Sequence, residues 1–172
     1  MASVFGHSIV GFTLAKVIDS KNTKWLLLAA IFSTILPDFD VITFHFGIAY
    51  EDAFGHRGFT HSILFAVIWA LILMFALGRK HKLIWFLVIF LSTFSHGILD
   101  AMTTGGKGVG FLIPFNNARF FFSFRPIKVS PIGISKFLSN WGVQVILSEL
   151  KYVFLPCFFI FGVRILIKPN NS

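Results

Sequence analysis

Acidic residues are scarce in this chain. Seven aspartates and glutamates stand against fifteen lysines and arginines in 172 residues, and charged residues of both signs reach only 13%. A soluble domain is normally about a quarter charged and just under half apolar; here 56% of the residues are apolar. So little polar surface excludes an ordinary water-soluble globule. Cysteine is nearly absent as well: the single Cys157 lies in an apolar stretch, so no intrachain disulfide can form. A usual secretory leader is also missing, because no basic stretch precedes the first apolar segment and His7 interrupts it. That segment is therefore expected to stay in the mature protein. The net charge of +8 raises the question of nucleic acid, but no nucleic-acid-binding motif accompanies it. The basic residues instead form short clusters between apolar runs, such as Lys21 with Lys24 and Arg79, Lys80 and Lys82. Loops that anchor at a membrane surface have this pattern. The expected partner is the lipid bilayer, with no nucleic acid.

Five apolar segments carry the chain: Val4–Ile18, 25–36, 62–78, 83–99 and 141–167, the last interrupted by Glu149, Lys151 and Pro156. A helix needs ~20 residues to cross the hydrocarbon. The third and fourth segments, with sixteen to seventeen uncharged residues each, come close, while the first two are short. Tight basic tips join the first segment to the second and the third to the fourth. The expected fold is all-α: a polytopic membrane protein of antiparallel helical hairpins, with about four to five membrane-associated helices in a single domain over 1–172. Two connections differ from the tips. Residues 37–61 are rich in aspartate, histidine and glycine; residues 101–140 carry glycines, then phenylalanines and arginines. Long connections are usually functional or disordered, and the phenylalanines predict that this one folds back onto the membrane interface.

Hairpins decide which ends lie together. Crossing and returning, the third and fourth segments place His61 beside His96 and Asp100. The first two place His7 beside Asp38 and Asp40, and the linker carrying His56 lies on the same side. His7, Asp38, Asp40, His56, His61, His96 and Asp100 should therefore share one membrane face. His96 and Asp100 are four apart, hence on one face of a helix. Imidazoles and carboxylates without thiolate suit zinc, manganese or iron, and polar groups this close to a bilayer are by default functional candidates. Each residue also has a plainer reading. His7 could be a hydrogen-bonded packing residue, Asp38 and Asp40 could begin a turn after Pro37, Thr60 or Ser62 could cap the third segment, and His96 with Asp100 could close a helix end. His45 and His81 read as ordinary surface histidines.

The set His7, Leu36-Pro37-Asp38-Phe39-Asp40, His56-Arg57-Gly58-Phe59-Thr60-His61-Ser62 and Ser95-His96-Gly97-Ile98-Leu99-Asp100 resembles the YdjM-like family of LexA-regulated, membrane-bound metal-dependent hydrolases of bacteria and archaea. The resemblance covers residues 1–133, with 141–167 left as a C-terminal membrane helix. A fainter likeness extends to zinc-dependent phospholipase C and P1 nuclease. The resemblance implies a divalent metal cofactor, zinc first, as one or two ions, with His7, Asp38, His56, His61, His96 and Asp100 as candidate ligands. It implies hydrolysis of a small-molecule or lipid ester, with a phosphate ester favoured and a lipid-linked one among the candidates. Asp40 and Arg57 are the candidate catalytic residues, orienting water and stabilising charge. Arg119 and Lys107 are the candidate substrate-binding residues. A non-enzymatic protein that binds or transports divalent metal is the alternative, and a structural factor whose polar face binds a protein is a third reading. The tip side holds eight basic residues, among them Lys80 and Lys168, against seven on the site side. Because the tips are short, this places tips and C-terminus in the cytoplasm and the site outward, in the inner membrane.

Overall fold

The computed structural model describes residues 1–21, 23–79 and 81–167. Lys80 and Lys168, counted above among the tip-side cations, lie outside them. The first helix, α1 (Val4–Ile18), starts at Ser3, whose hydroxyl accepts from the Gly6 N–H at 3.2 Å. At its far end the Asp19 carboxylate accepts from the N–H groups of Lys21, at 3.0 Å, and Thr23, at 2.6 Å. That side-chain turn returns the chain into α2 (Lys24–Ile35).

The second segment does not end where its α-helix ends. Pro37 has no N–H to donate, and the backbone tightens into a 3-10 helix, Leu36–Phe46, closed by Gly47 at φ 72°. Together the two form a continuous helical run of 23 residues, long enough to cross a membrane. The sequence reading had this segment short. By contrast α3 (Ile63–Leu77) has only 15 residues and α4 (Lys82–Ala101) has 20. Ser62 is the cap of α3, accepting from the Phe65 N–H at 3.1 Å, whereas Thr60 donates to Asp40. After a short helix α5 (Ile134–Phe137), α6 (Asn140–Glu149), a π-helical turn (Leu150–Phe154) and α7 (Leu155–Ile167) form one apolar run of 28 residues.

The architecture is the expected all-helical one. No strand forms among the described residues; isolated bridges join Thr103 to Ile127 and Val109 to Phe120. Both hairpins form, and α4 packs against α1, α2 and α3. Leu26, Ala30, Ala70, Trp85, Val88 and Ile89 make the core between them. Helices in lipid associate through close packing rather than escape from water. At Gly11 the need is direct, since a Cβ there would lie 2.8 Å from the Ala30 carbonyl oxygen. The two tips meet where Lys21 Nζ lies 2.9 Å from His81 Nε2. Arg164 near the end of α7 donates to the Val17 carbonyl at 3.2 Å, so the C-terminal helix ends on the tip side.

The long connection after α4 folds back over the opposite ends of the helices. Gly110 N–H donates to the Arg57 carbonyl at 2.9 Å, Ile63 N–H to Phe111 at 3.0 Å, and Phe122 N–H to Ala101 at 3.1 Å. Val109, Ile113 and Ile127 are buried beneath it, while Phe115, Phe120, Phe122 and Phe124 stay exposed, as side chains at a membrane interface would be.

Candidate metal centre

Three elements deliver the site. The 3-10 continuation of α2 carries Asp38 and Asp40, the short 3-10 turn Phe59–His61 carries His61, and α4 carries His96 and Asp100 one turn apart. Asp38, His61, His96 and Asp100 are all buried and each offers one ligand atom, these atoms lying within 4.8 Å of one another. His96 Nε2 is 3.3 Å from Asp38 Oδ1, 2.9 Å from His61 Nε2 and 3.9 Å from Asp100 Oδ2. His61 Nε2 is 3.8 Å from Asp38 Oδ1 and 3.7 Å from Asp100 Oδ2. Tetrahedral ligands at about 2.1 Å from an ion stand about 3.4 Å from each other. The four atoms could therefore hold a metal ion.

Hydrogen bonding on the far side of each ring orients it. His96 Nδ1 donates to the Thr34 carbonyl at 2.7 Å, which turns the Nε2 lone pair inward. His61 Nδ1 faces Asp40 Oδ2 at 3.3 Å and the Thr60 hydroxyl at 3.1 Å. Both Asp38 oxygens are buried without a hydrogen bond. Buried carboxylate oxygens are costly when unpartnered, and a cation at the centre would satisfy them. Burial alone would push the His61 imidazole down, but hydrogen bonding to Asp100 and Asp40 outweighs it and raises the group to about 9. Without a cation, then, the 2.9 Å contact is an N–H of His61 donating to His96.

The remaining expected ligands surround this group rather than join it. His7 stacks on His96 at 3.9 Å between ring centroids, and its Nε2 is 3.5 Å from Asp100 Oδ1. Neither His7 nitrogen has a hydrogen-bond partner. His56 Nδ1 lies 2.6 Å from Asp40 Oδ1. Asp40 also accepts from the Arg57 N–H at 3.0 Å and the Thr60 hydroxyl at 2.8 Å. Asp40 therefore gathers His56, Arg57, Thr60 and His61 into one arrangement. Arg57 is buried, with φ at 61°, its Nε 2.9 Å from Asp100 Oδ2 and its guanidinium donating to Gly105 and Thr103 at 3.0 and 3.1 Å.

Arg119 and Lys107 brace the loop that precedes His56. Arg119 donates to the carbonyls of His56, Tyr50 and Asp52, each at 3.0 Å. Lys107 pairs with Glu51 at the surface. His45 is exposed and His81 belongs to the tips, as their sequence context indicated.

Several contributors were not singled out from sequence. Ala2 N–H donates to Asp100 Oδ1 at 2.8 Å. Ser3 donates to Glu149 through both its N–H and its hydroxyl, and that carboxylate is fully buried. Gly97 matters by what it lacks: a Cβ would lie 3.0 Å from Phe111 and 3.2 Å from the His61 carbonyl. A glycine inside an otherwise strong helix is a visible sign of such close approach. The Thr34 carbonyl left no side-chain signal at all.

Fold and site together define a polytopic membrane protein whose hairpin ends enclose a buried histidine–aspartate cluster able to hold a metal ion. Over residues 1–170 the chain matches the family described as YdjM inner membrane protein. Inner membrane protein YbcI of Escherichia coli (strain K12) is 42% identical, with 94% of this chain and 96% of that protein covered. The chain belongs to the YdjM family. The match runs past the 1–133 on which the resemblance rested and takes in the last helix. No solved structure matches.

Proposed function

We propose that the protein is a membrane-bound metal-dependent hydrolase that cleaves an ester, with a phosphate ester favoured. The observation that carries the reading is the pair of buried Asp38 oxygens without a hydrogen bond, facing two oriented imidazoles and the Asp100 carboxylate. Two histidines and two carboxylates without a thiolate fit zinc best, with manganese and iron as the other suitable ions. A divalent ion held by Asp38, His61, His96 and Asp100 would supply Lewis acidity for activating water and polarising the ester. Asp40 holds His61 and Arg57 in place. Arg57 supplies a fixed positive charge beside Asp100, in a site where charge is poorly screened. Asp38 stands at the mouth of the cluster, where a substrate would enter.

Storage or transport of the metal is the second reading. Transporters hold their ions near the bilayer midplane, on interrupted helices. Here His61, His96 and Asp100 sit at helix ends, and Asp38 lies just past the point where α2 tightens into its 3-10 continuation; a connection with an aromatic surface covers them, which favours a site working at the interface.

Turnover of a phosphoester panel by purified protein, with and without chelator, tests the hydrolase. Asp38→Asn and His96→Ala are each expected to reduce turnover by orders of magnitude while membrane insertion is retained. Chelator-insensitive hydrolysis, or full activity in the His96 variant, would exclude metal-assisted attack. The density of basic residues at the short tips supports tips in the cytoplasm and the site outward. In a Cys157→Ser background, a cysteine introduced by Lys80→Cys should resist a membrane-impermeant thiol reagent added to intact cells. Strong labelling there reverses the orientation.

A further inference from the structure

A cavity of about 550 Å³ opens directly beside the metal cluster, between the start of α1, the end of α2 and the segment leading into α5. Its walls include Phe5, Ile35, Phe39, Ile132 and Leu138, and Asp38 is its one ionisable side chain. The size falls within the range of ~300–1,000 Å³ typical of small-molecule sites. Asp38 is 6% exposed and neither of its oxygens has a hydrogen-bond partner. The same carboxylate thus lies in the metal cluster and in the cavity wall. A polar group brought to Asp38 is within reach of the cluster, and whatever is attached to it extends along apolar walls.

The outer rim shows what those walls meet. Phe5 is 58% exposed, Phe39 55% and Leu138 78%. An exposed apolar rim of this kind in a membrane protein fits contact with lipid, to which the cavity would open from the side. A larger cavity of about 670 Å³ lies between the tips on the opposite side, bordered by Arg79 and His81 and by no carboxylate. The site-side cavity joins an apolar volume to the metal cluster.

We propose that this cavity binds the long alkyl or acyl chain of an amphiphilic ester drawn from the surrounding bilayer, with the ester group placed at Asp38. The proposal rests on the hydrolase reading for the fate of the ester. Chain binding itself depends only on the cavity. The chain enters between Phe5 and Leu138, and its insertion brings the head group to the cluster. Apolar contact along the walls selects long-chain over short-chain esters.

The test uses the full-length protein in nanodiscs and dodecyl phosphate carrying a photoreactive diazirine at its chain end, beside a diazirine-labelled dodecanoyl ester without phosphate. Crosslinks are expected on peptides 1–5, 35–41 and 130–138, several-fold above those on 155–167, and unlabelled dodecyl phosphate should compete where ethyl phosphate does not. Ile132→Trp and Leu138→Trp, which fill the cavity away from the ligands, should remove that excess and leave bound metal unchanged. Uniform labelling of the apolar exterior, or unchanged labelling in both filled variants, overturns the proposal. So does hydrolysis of ethyl and dodecyl phosphates at equal efficiency, an outcome that leaves the hydrolase standing. Cavity-specific crosslinking without any metal-dependent turnover would support the chain site and sink the hydrolase instead. The two labelled probes separate a phosphate head from a carboxylic ester.

Discussion

Replacing His61 or His96 with alanine is expected to leave the purified protein almost free of divalent metal, while replacing His45 or His81 leaves its content unchanged. The two central imidazoles present Nε2 atoms 2.9 Å apart to the same point as Asp38 and Asp100. Losing one of four ligands opens the shell, and Asp38 then keeps two of the three groups that would share its ion. His56→Ala should behave differently. Its contact is with Asp40, behind His61, and outer partners of that kind are worth ~10–100-fold in affinity. His56→Ala should therefore weaken binding yet retain metal at high concentration. Binding should also weaken as pH falls below about 9, because the cation must displace the proton that Asp100 and Asp40 hold on His61. Elemental analysis and metal titration read all of this. Loss of metal on removing His81 with retention on removing His96 would refute the site.

Replacing Arg57 with methionine is expected to destabilise the metal-free protein by about 3–5 kcal/mol, the cost of leaving a buried charge uncompensated. Arg57 is fully buried and its Nε sits 2.9 Å from Asp100 Oδ2. Without it, Asp100 keeps the Met1 ammonium at 3.8 Å, the Ala2 N–H at 2.8 Å and the adjacent imidazoles. Two further measurements separate charge from backbone. Arg57→Gly relieves the positive φ of 61° but removes the same charge, so it should recover only a small part of the loss, on the order of 1 kcal/mol. Bound divalent metal should recover more, by supplying a cation next to the same carboxylate. Thermal unfolding in detergent, with and without metal, distinguishes these outcomes. Equal melting of the parent and Arg57→Met proteins would mean that Asp100 is not held charged by this pair.

Much of the architecture was legible because a bilayer imposes simple rules. Runs of apolar residues must become helices to satisfy their backbone, and a basic tip between two runs makes a hairpin. From those two facts alone, His7, Asp38, Asp40, His56, His61, His96 and Asp100 fall on one side. The i, i+4 spacing of His96 and Asp100 likewise required nothing beyond helix geometry. The length of the second span was not legible. A proline reads as a stop, and only packing of the chain beyond Pro37 let a 3-10 helix carry it to Phe46.

The sequence by itself determined that this is a membrane protein of hairpins, and which seven polar residues would meet. Tertiary structure decided where each of them sits and what it touches. Asp38 and Asp40 are two residues apart and chemically identical, yet Asp38 keeps both oxygens unpartnered beside His96 while Asp40 is occupied by His56, Arg57 and Thr60. His56 and His61 flank one short turn, and only His61 reaches the centre. Periodicity can place a residue on a face, but a ligand is separated from its support by an ångström or two. That distance is set by contacts between segments remote in sequence: the Thr34 carbonyl behind His96, the missing side chain at Gly97 that admits the His61 turn, and the Ala2 N–H on Asp100.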